Sequence, residues 1–284
     1  MRAQLTDAEY RWFSEWLAEE YGLVFGPEKR DILRSRLEPR RAELGFATFE
    51  ELYFHLKYHP ERESERQRLI PHLTNNESYF FRESPQLEIF RREVLPELRR
   101  TVEARKEHTG RILSAGCASG EEPYTLAILI RESGLFPRGW RIGITGIDLD
   151  PAILEKARAA VYGEHAFRRI DPGVRERYFR ECAEGQAQLV EPVRSMVQFD
   201  QANLTDPDWP RRHGSQDIIF CRNVLIYFSE QTTRRVVENL YNALRPGGCL
   251  FLGHAETLSR IPTRFEAVRR PGAIYYRRPE AADE

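Results

Sequence analysis

The chain is poor in cysteine. It has four in 284 residues, Cys117, Cys182, Cys221 and Cys249, and no C-x-x-C pair. Thiols scattered in this way are read as small core residues rather than disulfides or zinc ligands. The seven histidines are read as carrying no H-x-x-x-H zinc spacing, so no metal is expected. No apolar run approaches the ~18 residues of a membrane span. The N-terminus, MRAQLTDAEYRWFSEW, lacks the apolar centre of a signal peptide. A cytoplasmic protein without membrane insertion is therefore expected. An excess of one charge is missing too: 43 Lys and Arg stand against 44 Asp and Glu, a net charge of −1. No global field points to nucleic acid. There is no internal repeat, low-complexity tract or apolar heptad, and a monomer is expected.

What is present is an ordinary globular composition, 41% hydrophobic and 31% charged, in a chain long enough for one large or two modest domains. From about residue 5 to 73 the pattern is helical. Thr6 and Asp7 can cap a helix that presents Tyr10, Phe13, Trp16 and Leu17 on one face. Gly22 to Pro27 break it. A second helix, near Lys29 to Leu44, carries an apolar stripe of Ile32, Leu33, Leu37 and Leu44. Its other face is basic, with Lys29, Arg30, Arg34, Arg36, Arg40 and Arg41. A third helix starts around Thr48. From Arg111 the pattern changes to strands alternating with helices: RILSAGC, WRIGITGID, MVQFDQAN, DIIFCRNVLIYF and CLFLGHAE. That alternation predicts a parallel sheet with right-handed crossovers, a Rossmann-like α/β domain. FEAVRRPGAIYYRR reads as a closing antiparallel hairpin. A small antiparallel β insertion is expected over about 174–196.

The chief motif is Ser114-Ala115-Gly116-Cys117-Ala118-Ser119-Gly120-Glu121-Glu122-Pro123, between a strand and a helix. In open α/β sheets that junction lies at the carboxyl edge, where ligands bind. Gly116 and Gly120 allow a tight turn and a close backbone approach. The motif is not G-x-G-x-x-G. Moreover, Glu121 and Glu122 stand where a pyrophosphate would need positive potential. Two carboxylates suit a positively charged ligand, such as the ammonium and sulfonium of S-adenosylmethionine. They could equally serve only to complement the helix dipole. The next strand ends in Ile147-Asp148-Leu149-Asp150. An acidic residue at that edge can accept hydrogen bonds from ribose hydroxyls. Asp150, preceding Pro151, fits a helix N-cap better, which leaves Asp148 as the ribose ligand.

Asn76-Glu77-Ser78-Tyr79-Phe80-Phe81-Arg82-Glu83 resembles the N-x-T/S-x-F-F-R-E signature of the chemotaxis methyltransferase family CheR. GCASGEEPYT, GIDLDPAILEKARAAVY, FCRNVLIYF and LRPGGCLFLGHAE are similar to four further motifs of that family, in order along nearly the whole chain. The resemblance implies a helical receptor-docking domain over 1–74. It implies a linker over 75–90 carrying cofactor contacts, and an S-adenosylmethionine-dependent methyltransferase domain over 91–284. It implies that Asn76, Ser78 and Arg82 cover the cofactor. Gly116 belongs to the turn beneath it, Glu122 contacts its methionine portion and Asp148 its ribose. Asn203 and Leu204 flank the adenine, and Asn223 and Val224 line the pocket. Tyr227 stands near the transferred methyl, and Arg82 and Tyr227 are the candidate catalytic residues that orient the incoming carboxylate. Ser78 takes the place of the usual threonine and keeps the hydroxyl.

The implied reaction moves a methyl group from S-adenosylmethionine to glutamate side chains in the cytoplasmic methylation region of chemoreceptors, leaving S-adenosylhomocysteine. The nucleophile, a carboxylate with pKa about 4.3, is already ionised. No general base is needed, in keeping with the lack of a Ser-His-Asp constellation. Arg30, Arg34, Arg36, Arg40 and Arg41 form the candidate docking face for the glutamate-rich receptor helices. Some members of the family bind a receptor C-terminal pentapeptide through a glycine-rich insert loop. The stretch here, Phe179 to Gln188, has one glycine and looks shorter, so no tight tether is expected. Two other readings remain: a methyltransferase for another carboxylate or a small molecule, and a non-catalytic module that senses the cofactor or its product.

Overall fold

Thr6 and Glu9 form a reciprocal capping box, so α1 (Asp7–Tyr21) starts where the sequence places it. In this computed structural model residues 3–280 are described; residues 1–2 and 281–284, the outer ends of the expected first and last domains, lie outside them. Gly22, left-handed at φ 73°, ends α1. Helices α2 (Arg30–Glu43), α3 (Phe49–Tyr58) and α4 (Arg62–Leu73) complete a helical layer around Phe13, Leu17, Leu33, Leu37, Phe49 and Leu69. Among the described residues no helix is long and apolar enough to cross a membrane.

Three expectations about this domain need correction. Ile32 is 46% exposed and does not join Leu33 and Leu37 in the core. The basic face of α2 is not free. Positions 33, 37, 40 and 41 share one side of a helix, so Arg40 and Arg41 follow the leucines inward and are buried. Arg40 pairs with Glu65 and, at 2.7 Å, with Glu43. Arg41 pairs with Glu38 at 2.8 Å and reaches the Phe46 carbonyl. Arg36 donates to the Leu73 carbonyl, and Arg30 to Asp7 and the Leu5 carbonyl. Arg34 stands 3.7 Å from Asp31. Finally, an H-x-x-x-H spacing does occur. His55 and His59, one turn apart on and just after α3, meet with ring centroids 4.3 Å apart and planes tilted by 33°. Among the described residues no group of three potential ligands could hold a metal.

Between the domains the chain runs without regular structure from Thr74 to Tyr79. Then α5 (Ser84–Ile89), a π-helical stretch (Phe90–Val94) and α6 (Leu95–Ala104) pack Leu87, Phe90 and Leu95 into the larger core. The α/β domain follows with β1 (Thr109–Ala115), α7 (Glu121–Ser133), β2 (Arg141–Asp148), α8 (Pro151–Ala159) and β3 (Val161–Gly163). Next come α9 (Pro172–Tyr178), β4 (Phe179–Ala183), β5 (Gln186–Leu189), α10 (Glu191–Arg194), β6 (Val197–Gln201), α11 (Trp209–His213) and β7 (Gln216–Cys221). It closes with α12 (Glu230–Ala243), β8 (Leu244–Leu252), β9 (Glu266–Arg270) and β10 (Ala273–Arg277).

The main sheet has the order β6-β2-β1-β7-β8-β10-β9. The first five strands in that order are parallel and β10 is antiparallel to both neighbours. The chain winds outward from β1 through β2 to β6, then returns to β7 on the other side of β1. The crevice between β1 and β7 is thus the topological switch point. The insertion is a separate three-stranded antiparallel sheet, β3-β5-β4. It starts earlier than 174, because β3 supplies one edge. Three residues are too few for a period-two pattern to show in sequence. Cys117, Cys221 and Cys249 are buried, but Cys182 on β4 is exposed, contrary to the reading of all four as core.

Candidate functional site

At the carboxyl ends of β1, β2 and β7 lies a cavity of about 300 Å³, at the small end of the range for ligand sites. Its floor is the turn after β1. Gly116 has φ 77°, and a β-carbon there would overlap Val224. Only glycine lets the turn lie against the loop that follows β7.

Asp148 ends β2 and is 8% exposed. It accepts hydrogen bonds from Ala118 N–H at 2.9 Å and Asp150 N–H at 3.0 Å. Burial pushes its carboxyl up, partly opposed by those backbone bonds. Each oxygen keeps a further acceptor position. Asp150 has the N-cap geometry: one oxygen takes the N–H groups of Ala152 and Ile153. Its other oxygen accepts from Asn76 Nδ2 at 2.9 Å and Thr74 Oγ at 3.1 Å. Asp150 thereby moors the strap that roofs the cavity.

Glu121 and Glu122 part company. Glu121 is turned into the protein, accepts from Ser119 Oγ and Ser78, and has its carboxyl pushed up by burial. Glu122 lines the cavity. It accepts from Ser114 Oγ at 2.7 Å and Arg222 Nε at 2.6 Å.

The strap brings Asn76, Ser78 and Arg82 to the cavity. Arg82 is flanked by two left-handed non-glycine residues, Phe81 at φ 59° and Glu83 at φ 60°. Such conformations cost about 1–3 kcal/mol each and persist only when the surroundings over-determine them. Here Phe81 N–H donates to Thr125 Oγ, the Arg82 carbonyl accepts from Arg222, and Glu83 accepts from His254 Nδ1 at 2.8 Å. The Arg82 guanidinium donates to the Glu77 carbonyl at 3.2 Å and lies near the Tyr79 ring.

On the far wall, Asn203 lines the cavity, but its amide donates to the Glu20 carbonyl and accepts from Thr205. Leu204, Asn223, Val224 and Tyr227 complete that wall. Asn223 is left-handed at φ 61°, and its buried Oδ1 has no partner among the described residues. An acceptor left open at such a wall fits a ligand that brings a donor. The helical domain closes this side: Val24 N–H donates to the Tyr227 carbonyl at 3.0 Å, and Leu23 bridges Phe228. The five arginines of α2 do not line the cavity, among the described residues.

Sequence reasoning left out Arg222 and set Glu256 aside. Glu256 accepts from the N–H groups of Asn223, Val224 and Gly253 at 2.7–2.9 Å and so shapes the turn after β7. The signal for Arg222 was there: a lone arginine ends an apolar strand, and such a charge is buried only with partners. The donor set fits S-adenosylmethionine. Glu122 and Asp148 face the cavity where an ammonium and a ribose need carboxylates, and Arg222, the arginine beside Glu122, is already paired with it.

Two family models match the chain: "CheR methyltransferase, all-alpha domain" over residues 8–74 and "CheR methyltransferase, SAM binding domain" over residues 76–274. Chemotaxis protein methyltransferase 2 of Vibrio cholerae is 35% identical, covering 96% of this chain and 94% of its own. Chemotaxis protein methyltransferase 1 of Pseudomonas aeruginosa is 33% identical, covering 95% and 97%. The chemotaxis protein methyltransferase of Escherichia coli is 31% identical, covering 93% and 89%.

Proposed function

Because the chain belongs to the CheR methyltransferase family and uses S-adenosylmethionine as methyl donor, we propose that it esterifies glutamate side chains of chemoreceptors in the cytoplasm and so serves chemotactic adaptation. The observation that carries this reading is one cavity at the switch point, with Glu122 and Asp148 as anionic walls and Arg82 and Tyr227 beside them.

When bound, S-adenosylmethionine supplies an electrophilic methyl carbon on a cationic sulfur. Glu122 receives the ammonium end and Asp148 the ribose hydroxyls; Asn203, Leu204, Asn223 and Val224 enclose the adenosine. Arg82, free to leave the Glu77 carbonyl, orients the incoming receptor carboxylate by charge, and the Tyr227 hydroxyl fixes it by a hydrogen bond. The acceptor is ionised at neutral pH, so no residue has to remove a proton. What remains for the protein is alignment, which can supply roughly 7–11 kcal/mol, and exclusion of water. The strap from Asn76 to Arg82 does both.

On α2, the docking role narrows to the partly exposed Arg30, Arg34 and Arg36. The β4–β5 hairpin turns through Glu184-Gly185 without a glycine-rich loop, which supports the absence of a tight pentapeptide tether. We take the protein to act as a monomer. The test is transfer of a radiolabelled methyl group to receptor cytoplasmic fragments. A base-labile product identifies the ester; cofactor binding without transfer would instead support a sensing module.

A further inference from the structure

Arg222 follows β7 with 3% of its side chain exposed. A buried guanidinium needs partners, and those it has come from two separate segments. Its Nε donates to Glu122 at 2.6 Å, on the first turn of α7. Its Nη1 donates to the backbone carbonyl of Arg82 at 2.8 Å, in the strap. The Glu83 carboxylate lies 3.7 Å away, and Glu83 is itself tied to His254. No hydrogen bond among the described residues joins Glu122 to the strap directly, so the guanidinium is the bridge between them.

We propose that Arg222 is a positioning residue that couples the carboxylate receiving the donor's ammonium to the strap that carries Arg82. Glu122 and Glu83 share the one guanidinium of Arg222, so a cationic ligand at Glu122 supplies that carboxylate with a second positive partner. With the ammonium in place Glu122 is held from both sides, and the Arg222 bond to the Arg82 carbonyl holds the strained stretch Phe81–Glu83 over the cavity. Occupancy at one end is thereby transmitted to the residue that orients the acceptor at the other. Lysine keeps the charge but loses the planar fork, so it cannot serve both contacts. The proposal rests on the assignment of Glu122 and Arg82 made above.

The test uses the full chain without cofactor and reads amide hydrogen exchange in residues 77–83, with S-adenosylhomocysteine calorimetry alongside. Arg222→Lys is expected to speed exchange in that stretch while β1, β2 and β8 stay protected, and to weaken S-adenosylhomocysteine binding about tenfold or more. Glu122→Gln is expected to speed exchange in the same stretch although Glu122 bonds no residue of it, and to add nothing in the Arg222→Lys background. Unchanged strap exchange in Arg222→Lys overturns the proposal. So does acceleration spread over the whole domain, which would make Arg222 merely structural. Should Arg222→Lys not fold, Glu122→Gln alone decides, and an unchanged strap there overturns it. Wild-type protein that fails to bind S-adenosylhomocysteine sinks the cofactor assignment instead, a result independent of the exchange data.

Discussion

Asp148 holds its place through two backbone N–H groups, and its remaining acceptor capacity faces the cavity. Asp148→Asn keeps the shape but turns an amide toward donors. S-adenosylhomocysteine affinity is expected to fall about 10–100-fold, measured by calorimetry, with the far-ultraviolet spectrum unchanged. Arg82 plays a different part. Among the described residues its guanidinium makes one bond to a backbone carbonyl and reaches no carboxylate, as suits a group reserved for an acceptor. Arg82→Ala should lower kcat for receptor methylation about 100-fold, with a smaller effect on S-adenosylhomocysteine binding. An unchanged kcat would remove Arg82 from the reaction. Asp148 and Arg82 were both legible in sequence because each belongs to a recognisable motif. For Arg222 the sequence signalled burial but not the partners, which lie 100 and 140 residues away.

Within elements, α2 carries two kinds of arginine that composition does not separate. Arg40 and Glu65 are 3% and 4% exposed and pair across α2 and α4. Removing one partner of such a pair strands the other, at about 3–5 kcal/mol. Glu65→Gln should therefore lower the urea midpoint substantially. It should also change the acid limb. Burial alone would raise the Glu65 carboxyl, but the bonds to Arg40, with Arg68 and His55 near, hold it below its ordinary 4.5. The unfolded chain binds this proton more readily, so the contribution is complete above 4.5 and is lost as pH falls through the native value. Urea titrations between pH 3 and 6 should show a shallower acid loss in Glu65→Gln than in wild type. Arg34, by contrast, keeps 27% of its side chain exposed beside exposed Asp31. Arg34→Glu should raise the KM for receptor and change its salt dependence, leaving the urea midpoint alone. The helical period of Leu33, Leu37, Arg40 and Arg41 held this distinction, but charge count alone concealed it.

At the scale of the molecule, the cavity belongs to neither domain alone. Asn203 bonds the Glu20 carbonyl, Thr74 and Asn76 bond Asp150, Gln201 bonds Gln67, and Leu23 bridges Phe228. A ligand enclosed at that seam stabilises both halves together. Calorimetric melting should show one transition. S-adenosylhomocysteine at 100 times its Kd should add about 2.7 kcal/mol to it. Two transitions, of which only one moves with ligand, would refute a shared site.

Periodicity, turn residues and motif order were enough to specify a helical layer followed by a parallel α/β sheet. They also placed the acidic residues at the sheet's carboxyl edge, because these features depend on neighbours a few positions apart. Which carboxylate faces the cavity, which arginines are buried, and where the three-stranded insertion begins were decided only on folding. Each depends on partners distant in the chain. A side chain's charge is local, but its solvation and its partner are not. Glu121 and Glu122, adjacent and chemically alike, part for that reason: one is buried in the protein and the other lines the cavity.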